Sequence, residues 1–158
     1  MKVEKERKFK LNKMPDNIDL RSGIRLEQYY LRLSQKETAQ GFDVKRIRMH
    51  IRPDGTGKFY LTFKSRGLME RLESEKEISK EEFDSLKKTA LKYISKIRHV
   101  YALNGFKIEL DIFDGRDLII AEVESPEAEK FQPPCDWEEV TGDPAYQNVN
   151  LALYCPKI

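Results

Sequence analysis

Charged and apolar residues alternate one for one along several stretches of the chain, the period of a β-strand with two unlike faces. The pattern predicts strands over residues 3–9, 28–33, 44–52, 58–64, 71–78, 97–103, 106–113 and 118–124. Pro53-Asp54-Gly55-Thr56-Gly57 reads as a hairpin turn between the third and fourth, since proline presets φ and glycine accepts positive φ. Asn104-Gly105 and Asp114-Gly115 mark two more tight turns. About eight strands joined largely by short turns predict an antiparallel sheet or closed barrel.

Helical periodicity is rarer. Ser79 followed by Glu82 has the form of a capping box, and Phe83, Leu86, Ala90, Leu91 and Ile94 recur behind it, which predicts a helix over residues 80–95. Ser125-Pro126-Glu127 supplies an N-cap with proline at the first helical position, so a short helix is expected to Lys130, before Pro133-Pro134 stops it. A last helix is expected over residues 147–153. The class is therefore α+β, as a single domain over residues 1–158, with no internal repeat.

Composition narrows the function more than the fold. Charged residues make up 35% of the chain, yet 29 Lys and Arg against 27 Asp and Glu leave a formal charge of only +2, so no global basic field argues for nucleic acid. No apolar run approaches a membrane span. Two cysteines, Cys135 and Cys155, without a Cys-x-x-Cys spacing, and only His50 and His99 as imidazoles, give a zinc site or disulfide framework little to stand on. A reducing cytoplasm is the expected compartment.

Sorting the strands by face concentrates the charge. Glu4, Glu6 and Lys8 share one face; so do Arg46, Arg48, His50 and Arg52, then Thr62 and Lys64, then Arg71, Glu73, Glu75 and Glu77, then Glu109 and Asp111, then Glu122 and Glu124. Their alternates are largely apolar, such as Ile47, Leu61, Ile108 and Val123. A single charged face is usually a solvated one. The set reads differently, because a solvated face avoids placing like charges side by side, whereas acidic pairs recur here on four strands. Carboxylate pairs suit Mg²⁺ or Mn²⁺, and Arg and Lys suit phosphate oxygens. A barrel enclosing both would bind a metal-polyphosphate complex.

Glu4-Lys5-Glu6-Arg7-Lys8 resembles the N-terminal Glu-x-Glu-x-Lys signature of the CYTH, or triphosphate tunnel metalloenzyme, family. The resemblance continues through Arg46-x-Arg48, Thr62-Phe63-Lys64, Arg71-x-Glu73-x-Glu75, Lys96-x-Arg98, Glu109-Leu110-Asp111, Glu122-Val123-Glu124, Glu138-Glu139-Val140-Thr141-Gly142-Asp143, and Tyr146 with Asn148. It implies an eight-stranded antiparallel tunnel, with helices packed outside, that hydrolyses a triphosphate with divalent metal. On that resemblance Glu4, Glu6, Glu73, Glu75, Glu109, Asp111, Glu122 and Glu124 hold metal or orient water, and Lys8, Arg46, Arg48, Lys64, Arg71, Lys96 and Arg98 hold phosphate. Glu4, Glu6, Lys8, Glu122 and Glu124 form the catalytic set. The chain departs from many relatives in carrying Gln147 and Val149 where they have Lys or Arg, which removes a phosphate contact on the closing helix from the expectation.

The expected substrate is inorganic triphosphate, because no base-reading or stacking group marks a tunnel mouth. Thiamine triphosphatase and class IV adenylate cyclase are the alternatives inside the family, and a non-catalytic polyphosphate binder the alternative outside it. The retained acidic pairs speak against the binder, since they repel an anion. Partners are expected to be a triphosphate-containing small molecule and a second copy in a homodimer, with neither nucleic acid nor membrane. Tyr146 and Trp137 read as packing residues.

Overall fold

The computed structural model describes residues 5–16, 18–65 and 73–155. Ten strands and three short α-helices make up the regular structure among them: β1 (Lys5–Leu11), β2 (Ile24–Leu31), α1 (Gln35–Ala39), β3 (Val44–Ile51), β4 (Gly57–Lys64), β5 (Glu73–Ile78), α2 (Lys80–Lys87), β6 (Lys92–Leu103), β7 (Phe106–Phe113), β8 (Ile119–Ser125), β9 (Glu138–Glu139), α3 (Asn148–Leu151) and β10 (Leu153–Tyr154). The α+β class holds, with an antiparallel sheet as its main component. The chain divides into two compact units, Met1–Ile24 with Lys96–Leu151, and Arg25–Ser95 with Ala152–Ile158.

In the first unit the strands run in the order β6, β7, β8, β1, β9, each antiparallel to the next. The Asn104-Gly105 turn has φ of 53° and 81°, the left-handed pair that a two-residue hairpin requires, and it sets Leu103 opposite Phe106. Asn104 Nδ2 also donates to the Gln132 carbonyl at 3.1 Å. The apolar alternates of these strands, Phe9, Leu11, Ile108, Leu110, Ala121 and Val123, form one core with Ala128 and Phe131. Trp137 packs on it with its ring 5.7 Å from Phe9, as expected of a packing residue.

In the second unit β5, β4, β3 and β2 form an antiparallel row, and β10 pairs with the first residues of β6. The core holds Tyr29, Leu31, Ile47, Leu61, Ile78 and Phe83. Ser79 caps α2 by accepting from Glu82 N–H at 3.1 Å, and the helix presses Phe83 against Phe59 and Tyr29 at ring distances of 5.0 and 5.8 Å. Complete burial of that one ring contributes about 2–3 kcal/mol.

Several boundaries differ from the sequence expectation. The helix expected over residues 80–95 stops at Lys87, and Lys92 onward is strand. Leu91 donates its N–H to the Tyr30 carbonyl, so the chain already runs along β2 where the helical pattern would have continued. Helix α1, with a complete capping box between Ser34 and Glu37, was not expected. Residues after Ser125 form a 3-10 turn over Ala128–Lys130 in place of an α-helix. The last helix is shorter than expected and gives way to β10.

Candidate active site

Eight of the expected site residues lie together on one face of the first unit. Pairing sets Glu6 opposite Glu124, Lys8 opposite Glu122, Glu122 opposite Glu109, and Arg98 opposite Asp111. Alternation does this: the same strands turn Phe9, Leu110, Ala121 and Val123 into the core on the other side.

Asp111 anchors one end of the cluster. It is 1% exposed and accepts from Lys96 Nζ at 2.7 Å, Arg98 Nε at 2.7 Å and Arg98 Nη2 at 2.9 Å. Burial alone would raise its pKa, but the Arg98 hydrogen bonds and the Lys96 charge hold it below the usual carboxylate range. Burial works against the Arg98 charge too, and Asp111, Glu109 and Glu122 more than offset it, so its pKa lies above the ordinary value. Arg98 Nη1 extends to Glu109 at 3.0 Å. Both Asp111 oxygens thus accept hydrogen bonds from cations.

The other end is under-neutralised. Lys8 Nζ lies 3.5 Å from Glu122 and 4.0 Å from Glu6, and among the described residues it is the cation that forms ion pairs with these two carboxylates. Burial, then the charge of Glu122, with smaller contributions from Glu124 and Glu109, pushes the Glu6 pKa up against the lowering effect of Lys8. Hard carboxylate oxygens held in mutual repulsion suit a divalent cation such as Mg²⁺ or Mn²⁺. Among the described residues no group of three or more His, Cys, Asp or Glu is gathered closely enough to hold a metal. Glu4, the remaining acid expected on β1, lies outside them.

The second unit carries the expected basic face. Arg46 stands opposite Thr62, and Thr62 opposite Glu75; Arg48 stands opposite Tyr60, and Lys64 opposite Glu73. Arg48 Nη2 reaches Glu75 at 3.6 Å. Burial lowers the Lys64 pKa, and Arg46 and Arg48 lower it further against the pull of Glu73 and Glu75. Thr62 is fully buried, and among the described residues neither its Oγ1 nor the buried Nε of Arg46 has a hydrogen-bond partner. Arg71 and the Val149 side chain lie outside the described residues, and Gln147 is exposed.

Sequence reasoning missed Gln28 and Tyr30, which are paired with Arg48 and Arg46 and joined by a Gln28 Nε2 to Tyr30 Oη bond of 2.9 Å. Two polar residues at i and i+2, beside a basic strand, were the available signal. It also missed that the Tyr146 backbone carbonyl accepts from Lys8 Nζ at 3.0 Å.

A family profile described as CYTH domain matches residues 2–133. The chain belongs to the CYTH family. An inorganic triphosphatase of Nitrosomonas europaea is 35% identical to this CYTH protein over 98% of this chain and 99% of its own. An inorganic triphosphatase of Acetivibrio thermocellus is 37% identical over 68% of this chain and 71% of its own. The crystal structure of an inorganic triphosphatase superposes with a TM-score of 0.71 at 32% identity, covering 96% of this CYTH chain and 99% of the other.

Proposed function

We propose that the protein hydrolyses inorganic triphosphate to pyrophosphate and phosphate with the help of Mg²⁺ or Mn²⁺. The observation that carries this reading is the face of the first unit, where Lys8, Lys96 and Arg98 stand among Glu6, Glu109, Glu122 and Glu124. Two relatives, one matching nearly end to end, are inorganic triphosphatases, which supports the same substrate.

Phosphoryl transfer asks a protein for positioning and charge neutralisation more than for covalent chemistry. In this reading Lys8 and Arg98 would meet the phosphate oxygens, with Lys96 behind them, while Asp111 holds the Arg98 guanidinium in place. Arg46, Arg48 and Lys64 offer the same chemistry on the second unit, joined by Arg71 in this reading. Glu6, Glu109, Glu122 and Glu124, with Glu4, supply the metal donors, and Glu73 and Glu75 further oxygen donors. The bound cation would neutralise phosphate charge and lower the pKa of a coordinated water.

The same reading takes residues 1–158 as one domain, an eight-stranded antiparallel barrel closed around this lining. It further takes the protein as cytoplasmic, with a triphosphate as its small-molecule partner, no nucleic acid or membrane partner, and a homodimer as its assembly. Cys135 and Cys155 are free thiols, as a reducing compartment would keep them, and no helix among the described residues is long and apolar enough to cross a membrane.

The test is release of phosphate from inorganic triphosphate, ATP and thiamine triphosphate under one metal condition, with a chelator control and an assay for cyclic AMP. The expected result is the highest kcat/KM for inorganic triphosphate, abolished by chelator. Full activity in chelator would end the metalloenzyme reading, and a preference for an organic triphosphate, or appreciable cyclic AMP, would move the substrate.

A further inference from the structure

We propose that Thr141 is a positioning residue that sets Lys8, acting through the backbone of β1 from a strap over residues 138–147. The inference rests on the reading of Lys8 as a phosphate contact. It starts from an alternation: Glu6 and Lys8 share the charged face of β1, so Arg7 points to the other side. There Arg7 grips Glu139 through two bonds, Nε to Oε2 at 3.0 Å and Nη2 to Oε1 at 2.8 Å. Its Nη1 also donates to the carbonyls of Ala128 and Phe131 at 3.0 and 2.9 Å. A bidentate pair of this kind fixes orientation as well as distance.

Glu139 passes the fixed position on. Thr141 Oγ1 donates to Glu139 Oε2 at 2.7 Å and accepts the Lys8 backbone N–H at 2.9 Å. The Val140 N–H donates to the Lys8 carbonyl at 2.8 Å, so both backbone groups of Lys8 are held by consecutive residues of the strap. Gly142, at φ 77°, then reverses the chain, and Asp143 caps the 3-10 turn Pro144–Tyr146 by accepting from Ala145 N–H. Asn150 Nδ2 holds the Pro144 carbonyl at 2.6 Å. The turn delivers the Tyr146 carbonyl to Lys8 Nζ at 3.0 Å. The ammonium is thereby set between a neutral acceptor and the Glu122 carboxylate at 3.5 Å. Without the Tyr146 acceptor the flexible four-carbon stem would be drawn only toward carboxylates. Thr141 touches none of the expected reacting groups, and its exposed side chain makes no contribution to the core.

The test is a double-mutant cycle on Lys8 and Thr141. Thr141→Val, Thr141→Ser, Lys8→Met and the double variant Lys8→Met with Thr141→Val are compared in the hydrolysis of inorganic triphosphate. The assay runs with enzyme in excess, so that slow variants remain measurable, and melting temperatures are recorded alongside. Thr141→Val should lower kcat/KM about fivefold to tenfold, the factor of one net hydrogen bond. Thr141→Ser, which keeps the hydroxyl, should restore it to within about twofold of wild type. In the Lys8→Met background the same Thr141→Val change should have no further effect, because residues acting through one another are not additive. An equal loss in both backgrounds, or an effect confined to the melting temperature, would overturn the inference while leaving the activity in place. Wild-type kinetics in Lys8→Met alone would instead overturn the reading of Lys8.

Discussion

Replacing Asp111 by Asn is the perturbation that separates an anchor from a metal ligand. The substitution keeps the shape and removes the charge that faces Lys96, itself 5% exposed, and Arg98. Removing one partner of a buried ion pair costs about 3–5 kcal/mol, because the other charge is left uncompensated. Asn retains one carbonyl oxygen to accept from Lys96 or Arg98, so the low end, about 3 kcal/mol, is expected. For a chain of this size each kcal/mol moves the midpoint by about 2–4 °C, which gives a fall of about 6–12 °C. The pH dependence adds a second reading. Asp111 has its pKa depressed by folding, so its stabilisation is present above the unfolded carboxylate pKa of about 4 and is lost as pH falls through the lower folded value. The gap between wild type and Asp111→Asn should therefore be full at neutral pH and shrink in acid below that pKa. The assay is thermal unfolding at several pH values, with and without Mg²⁺. Because Asp111 already spends both oxygens on cations, the rise in midpoint on adding metal should survive the substitution. Equal midpoints at neutral pH, or a metal-induced rise that disappears in the variant, would refute the assignment.

Glu6→Gln should separate stability from turnover. Glu6 titrates above the ordinary range, so the stability it contributes as a neutral acid is lost as pH rises through that range. The variant should consequently be more stable than wild type in chelator at pH 7, by less than about 1 kcal/mol for a group half exposed to solvent, while phosphate release falls steeply; a destabilised variant would contradict the crowding of carboxylates. Lys64→Met should raise KM for triphosphate tenfold or more, the order of a lost charged hydrogen bond, and an unchanged KM in steady-state kinetics would place Lys64 outside the site. Gly23→Ala should cost about 1–3 kcal/mol, because an added Cβ would run into Ile97 Cγ2 and His99 Cε1. The Gly23 φ of −71° is open to any residue, so an unchanged melting temperature would show that this packing gives way freely.

Much of the site was legible because each strand keeps two faces of unlike chemistry. The alternation around Glu109-Leu110-Asp111 and Glu122-Val123-Glu124 placed the acids correctly on one side and the core on the other. It carried no sign that Asp111 pairs with Lys96 and Arg98, since these arrive from another strand. Leu91 and Ile94, three residues apart, fit a helical period but fall on opposite faces of a strand, and a bond from Leu91 to the distant Tyr30 carbonyl takes the chain out of the helix there. The two-residue strands β9 and β10 are too short to have a period. The sequence presents Tyr146 as a packing ring, whereas it serves Lys8 with a backbone carbonyl that no side-chain pattern announces.

The two-residue turn at Asn104-Gly105 gives the hairpin a parity. With Leu103 fixed opposite Phe106, each later pair follows, down to Arg98 against Asp111. Inserting or deleting one residue within β7 would turn Ile108 and Leu110 outward and send Glu109 and Asp111 into the apolar core. Two residues would restore the faces while breaking the alignment of Arg98 with Asp111. Length change over this hairpin is thus confined to the turn itself, and a gap inside either strand is a heavier lesion than most substitutions there.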